Sequence, residues 1–272
     1  MLGRHLLGYL PVQAAQALVG FGGVAVFTRI LSPEEFGRYS LVIAAVSLIH
    51  MASFTWLESA VARFHARADS RGRLRDHLLT VYNIFGFAAV GVGSLLTLVI
   101  VFAPFDSQTK TVLAFALASM LLRGLLQIGL ETHRAAADIT RYSALEASGL
   151  MVGFFAGVGL ILTTDLGAAG IFAGIAAAAA LMVVVDLPVM LRKTRGGRHQ
   201  SVRTKTYARY GVPISFSLVF EHLLSVGDRF LIALFLGQGA VGMYAAGYGL
   251  SDRLLGIIFI WFGAAVWPLT IR

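Results

Sequence analysis

Runs of about twenty apolar residues recur along nearly the whole chain, each long enough as a helix to cross a hydrocarbon core roughly 30 Å thick. Eight such runs lie between charged or turn-forming residues: 6–30, 36–62, 78–103, 111–130, 142–163, 168–190, 208–236 and 241–269. A lipid-embedded backbone must satisfy its own hydrogen bonds, and runs of this length do so as α-helices. The sequence therefore predicts an all-α, polytopic membrane protein of about eight transmembrane helices. Composition agrees, since 57% of the 272 residues are hydrophobic and 13% charged, outside the usual balance of a soluble domain. Cysteine is absent, which excludes disulfides and thiolate chemistry, and the seven histidines show no metal-ligand spacing, so no metal and no cofactor are expected.

A net charge of +8 would suit nucleic acid if the basic residues formed one face. They do not. Odd-numbered loops contain Lys110 as their one cation, whereas the even-numbered ones carry Arg63, Arg67, Arg71, Arg73 and Arg75, then Arg134 and Arg141, then seven Lys or Arg between Arg192 and Arg209. The positive-inside rule places these loops and the N-terminus in the cytoplasm and leaves no nucleic-acid partner to invoke. A signal peptide is the competing reading of the first run, but the run is longer than a signal core and has no clear cleavage site before Arg29. The basic segment 191–207 reads as a linker between a six-helix lobe at 1–190 and the first two helices of a second lobe at 208–272.

An internal repeat supports two lobes. Leu31, Gly37, Tyr39 and Trp56 recur 205 residues later as Leu236, Gly242, Tyr244 and Trp261, so the first and last hairpins are alike and point the same way. Gly37 and Gly242 each follow a short loop, where a missing side chain would let the chain re-enter its next helix closely.

Three segments carry a family resemblance: Arg29-Ile-Leu-Ser-Pro-Glu-Glu-Phe-Gly-Arg-Tyr39, Glu58-Ser-Ala-Val-Ala-Arg63-Phe64, and Asp228-Arg-Phe-Leu-Ile-Ala-Leu-Phe-Leu-Gly237 followed by Val241-Gly-Met-Tyr244. The chain resembles the polysaccharide transporter and O-antigen flippase family, in the superfamily that includes multidrug and toxin extrusion proteins. The resemblance implies two six-helix lobes in a V around a central cavity. It also implies movement of a polyprenyl-pyrophosphate-linked glycan across the bacterial inner membrane by alternating access, with membrane lipid and polysaccharide-assembly proteins as further partners. Ending after eight helices, the chain departs from that pattern and reads as a fragment.

Charged residues at membrane depth need partners or water, because each costs about 2.5–3.5 kcal/mol near the bilayer centre. At 100° per residue, Ser217, Glu221, His222, Ser225, Asp228 and Arg229 share an arc of about 140° on helix seven, opposite an apolar face. That arc suits a polar cavity or a buried ion-pair network that only holds helices together. Glu58 lines up with Ser40 and Ser47 on helix two, with His50 beside it; Tyr244 and Tyr248 share a face of helix eight, with Asp252 at its edge and Arg253 further round. Tyrosines there could stack on a sugar or sit in the interfacial belt.

Arginine's planar fork binds phosphate oxygens in pairs, which makes Arg229 and Arg253 the leading candidates for a pyrophosphate, with Arg29 and Arg63 weaker because both could snorkel to a surface. Glu221, Asp228, Asp252, Glu58, His50 and His222 are candidate counter-ions or proton and cation acceptors. Asp186 reads as a partner of Arg192 or Lys193. A drug or cation antiporter on the same scaffold is the alternative, favoured by a cavity rich in carboxylates rather than Arg, and a non-transporting membrane scaffold is another. A membrane enzyme is disfavoured by short outer loops and the lack of nucleotide-sugar, metal or nucleophile motifs.

Overall fold

The structure, a computed structural model, describes the backbone of residues 2–270 and the side chains of residues 8–251 and of Leu255. Its elements are α1 (Leu2–Ile30), α2 (Pro33–Ser53), α3 (Thr55–Ser70), α4 (Leu74–Phe102), α5 (Ser107–Ala135), α6 (Ile139–Thr163), α7 (Ala168–Thr194) and α8 (Ser201–Thr270). Among the described residues seven helices are long and apolar enough to cross a membrane, the last covering Ser201–Ser251. That last span is two arms. Gly237 leaves the helix at φ 82° and ψ 176°, and Tyr244 beyond it donates a hydrogen bond to Asp228 before it. Sixteen residues of straight helix would separate the two by about 24 Å, so the chain reverses at Gly237, where only glycine takes this backbone without strain. The chain is thus an all-α, multi-pass membrane protein, and its reversal at Gly237 falls where the sequence reading puts a loop.

Helix starts follow local chemistry. Ser32 caps α2, accepting from the Glu35 N–H at 3.2 Å while the Glu35 carboxylate reaches back to the Ser32 N–H, and Pro33 occupies the first turn. Such a box is worth about 1 kcal/mol, and it lets α1 and α2 join through Leu31 and Ser32 alone. Asp106 caps α5 through the Thr109 N–H and hydroxyl. This carboxylate is held below its ordinary range, chiefly by the Thr109 hydroxyl and then by its N–H.

Two boundaries differ from the sequence reading. The run 36–62 is not one helix: it breaks at Phe54, where the Trp56 indole N–H donates to the Ser53 carbonyl at 3.0 Å and the Phe54 ring packs 4.9 Å from that of Phe85 in a core with Leu57, Val81 and Ile128. Tertiary burial, not a proline or glycine, makes the bend. The basic segment 191–207 is mostly helical, since α7 runs to Thr194 and α8 starts at Ser201, leaving 195–200 as connector. That connector is docked on α4: Asp76 accepts from the Arg198 N–H at 2.8 Å and from Gln200 Nε2 at 2.6 Å, and the Thr80 hydroxyl accepts from the Gln200 N–H at 3.0 Å.

Packing between helices relies on small residues. Gly153 and Gly157 of α6 face Gly174 and Ala178 of α7, so closely that a side chain on Gly174 would strike the Gly157 backbone, as expected where van der Waals contact rather than water drives association. Large apolar side chains face outward instead, Leu224 and Phe102 being at least four-fifths exposed. That distribution suits lipid as the surrounding medium.

The repeat has a geometric counterpart. Gly37 and Gly242 lie against each other where α2 crosses the second arm of α8, rather than each easing its own hairpin. A Cβ on Gly37 would strike the carbonyl oxygen of Gln238, and one on Gly242 that of Pro33.

Candidate functional site

A cavity of about 590 Å³ opens between α1, α2, α5, α6, α7 and both arms of α8. Phe27, Ile43, Phe154 and Ile175 supply apolar wall, while Ser40, Ser47, Arg123, His222, Ser225 and Arg229 supply polar groups. Its described lining contains no Asp or Glu.

Among the described residues, Arg229 is held at this wall by groups that carry no compensating charge. Its Nη1 donates to the Ser40 hydroxyl at 3.3 Å, and its guanidinium carbon lies 5.8 Å from the ring centre of Tyr248. Its Nε is buried without a hydrogen-bond partner. The adjacent carboxylate does not relieve it: Asp228 accepts from the Arg229 backbone N–H at 2.8 Å and from the Tyr244 hydroxyl. Tyr244 and Tyr248 stack with centroids 5.6 Å apart and planes at 24°, which carries the order of this hairpin to the arginine. His222, about two helical turns away on α8, also lines the cavity with Nε2 buried and unpartnered. A guanidinium with no carboxylate partner among the described residues, set beside an apolar wall, is a site for an anion or for water.

A second cavity of about 430 Å³ lies toward the basic end of the bundle, bordered by Thr55, Glu58, Ser119, Gln127 and Leu218. There His50 Nε2 and Glu58 Oε1 are 2.8 Å apart. Ile43, Ser47, Arg123 and Ile175 line both cavities, and Arg123 Nη2 donates to Glu146 Oε1 at 2.6 Å.

The candidates read from sequence are thus distributed. Arg229, Tyr248 and His222 meet at the first cavity, with Asp228 and Tyr244 behind them, and His50 and Glu58 form a pair at the second. Glu221 is exposed and lines neither; Arg29 is exposed at the end of α1; Arg63 is exposed on α3, 5.9 Å from the Tyr210 ring centre. Asp252 and Arg253 lie outside the described side chains.

Asp186 is a correction. Rather than pairing with Arg192 or Lys193, it is fully buried between His133, whose Nε2 is 3.0 Å from both carboxylate oxygens, and Arg141, whose Nε donates at 2.7 Å. Lys193 shares the face of α7 that Asp186 occupies but lies seven residues, about 10 Å, further along the axis, so His133 and Arg141, within hydrogen-bond reach, take the carboxylate instead. Glu146 was missed altogether; the signal available was a lone carboxylate four residues into the apolar run 142–163, with Arg123 inside the run before it.

Apolar helices around a polar, internally charged cavity define a multi-pass membrane protein and fit a transporter better than an enzyme. The chain belongs to the family described as polysaccharide biosynthesis protein, which matches residues 2–272. No curated protein and no solved structure matches it.

Proposed function

We propose that this protein takes part in moving a polyprenyl-pyrophosphate-linked oligosaccharide across the bacterial inner membrane by alternating access. In this reading the basic end of the bundle and the N-terminus face the cytoplasm, and α1 to α7 form one lobe against which the α8 hairpin begins a second. The observation that carries it is the first cavity's charge: Arg229, with no carboxylate in the described lining, and Arg123, whose charge Glu146 meets through one nitrogen alone. Such a site favours an anion and disfavours the cations a drug antiporter would carry. Arg229 supplies paired donors to the pyrophosphate, His222 lies within the same wall, and Tyr248 fixes the guanidinium plane while offering a face to a sugar. The apolar wall suits the first isoprene units. Arg253, Arg29 and Arg63 are further phosphate candidates along the path, and Asp228, Asp252, Glu221, Glu58 and His50 balance charge or exchange a proton or cation during the cycle. Membrane lipid surrounds the protein, and polysaccharide-assembly proteins are its expected partners.

The test is equilibrium binding to the purified chain in nanodiscs. A short-chain polyprenyl-pyrophosphate trisaccharide should bind saturably and be displaced by inorganic pyrophosphate. Saturable binding of tetraphenylphosphonium with none of pyrophosphate would sink the reading in favour of a cation antiporter.

A further inference from the structure

Arg123 stands where the two cavities meet. Among the described lining residues it is the one Arg or Lys common to both. Its bond to Glu146 uses one nitrogen, and the second oxygen of Glu146 is buried with no hydrogen bond. A guanidinium offers five N–H donors in a fork that matches a carboxylate through two parallel bonds. The Arg123–Glu146 pair is therefore a partial one, with donors left over on one side and an acceptor on the other, and the Arg123 side chain is 30% exposed while that of Glu146 is 8% exposed.

Depth separates this arginine from the first. Arg123 lies sixteen residues along α5 from Ser107, and Arg229 lies eight residues before Gly237, so they differ by about 12 Å along the bundle. A pyrophosphate, two phosphorus atoms sharing one oxygen, is shorter than that and cannot rest on both at once. We propose that Arg123 is a second anion station, occupied by the substrate's pyrophosphate as it passes between the cavities, and that Glu146 is its placeholder. The carboxylate pairs with Arg123 while the neck is empty and yields when phosphate arrives. This rests on the reading of the first cavity given above.

The arrangement answers two needs. An empty neck with a bare cation between apolar walls would be costly, and Glu146 removes that cost. A station that competes with its own carboxylate also binds weakly, and conduction between sites needs each to be weak enough to leave.

The experiment titrates inorganic pyrophosphate into the purified full chain in phosphatidylcholine nanodiscs. Glu146→Gln should tighten binding about tenfold, the gain should persist in an Arg229→Gln background, and Arg123→Gln should abolish it. If Glu146→Gln does not yield folded protein, Glu146→Asp keeps the charge but withdraws the oxygen, and should tighten binding about threefold. Unchanged or weaker pyrophosphate binding in a folded Glu146 variant overturns the placeholder. Should the Glu146 variants instead retain phosphatidylglycerol from mixed discs in place of pyrophosphate, the station belongs to a phospholipid headgroup and the proposal also falls. Failure of Arg229→Gln to weaken binding refutes the first-cavity reading; a loss there with no gain at Glu146 refutes the station alone.

Discussion

Gly37 and Gly242 contact each other reciprocally: the backbone of each blocks the place a side chain would take on the other, through the carbonyl oxygen four residues before it, Pro33 for Gly242 and Gln238 for Gly37. Arg38 strengthens the crossing, its Nε donating to Gln238 Oε1 at 3.3 Å. Alanine at either glycine must force backbones apart, since neither obstacle is a movable side chain, and overpacking of this kind costs about 1–3 kcal/mol or more. Each single variant should lower the thermal midpoint in detergent. The double variant should cost less than the sum, because helices already separated by one Cβ accommodate the second; an additive loss would mean the glycines act independently.

Arg229→Lys keeps the charge and loses the fork, whereas Arg229→Gln loses both. Pyrophosphate affinity should fall about tenfold with Lys and further with Gln, while Tyr248→Phe, which preserves the ring under the guanidinium, should stay near the parent. Equal affinities for Lys and Arg would reduce the residue to a point charge.

Asp186 holds two partners on two helices, so Asp186→Asn leaves His133 and Arg141 facing a neutral amide in a buried place. Breaking such an arrangement costs about 3–5 kcal/mol, and folded yield should drop sharply. Truncating Arg141 to Gln should do less, since its side chain is a third exposed. A chemical-denaturation midpoint for Asp186→Asn equal to the parent's would show that the cluster contributes nothing to stability.

His65 is buried at the basic end of α3, where desolvation and then the Lys193 charge hold its imidazole below the ordinary 6.5, against a smaller opposing effect of Asp69. As pH falls through 6.5 the unfolded chain binds a proton that the folded chain refuses. Stability should therefore decline as pH drops from about 6.5 toward the lower folded value and flatten beneath it, with a slope of at most about 1.4 kcal/mol per pH unit. Comparing pH-dependent unfolding of the parent with that of His65→Gln isolates this contribution, which should vanish in the variant.

Topology is testable because the chain lacks cysteine. His199 is exposed on the docked connector, so His199→Cys should react with a membrane-impermeant maleimide only after bacterial cells are opened. Labelling in intact cells would reverse the assignment of the basic end.

Hydropathy made the passes legible because a bilayer sets their length, and the reversal at Gly237 was placed to within the loop. The bend at Phe54 was invisible, since the apolar run continues across it and its cause is a core assembled from α4 and α5. Angular arcs found the wall of α8 that includes Arg229 and His222, but they also admitted Glu221, because a helical wheel does not say where neighbouring helices end. Arg123–Glu146 and His133–Asp186–Arg141 join residues 23 to 53 positions apart, and no periodicity within a helix encodes such a pairing.

The docked connector gives α8 a mechanical character. Its first arm is fastened at the basic end, through Gln200, to Asp76 and Thr80 of α4, while its far end continues into the arm that crosses α2 at Gly242. If the glycine crossing loosened while those bonds to α4 held, the connector would act as a fulcrum. An arm of 36 residues is about 54 Å long, so a tilt of a few degrees there would displace the opposite tip by several ångströms. Small rotations at one membrane face would be amplified at the other.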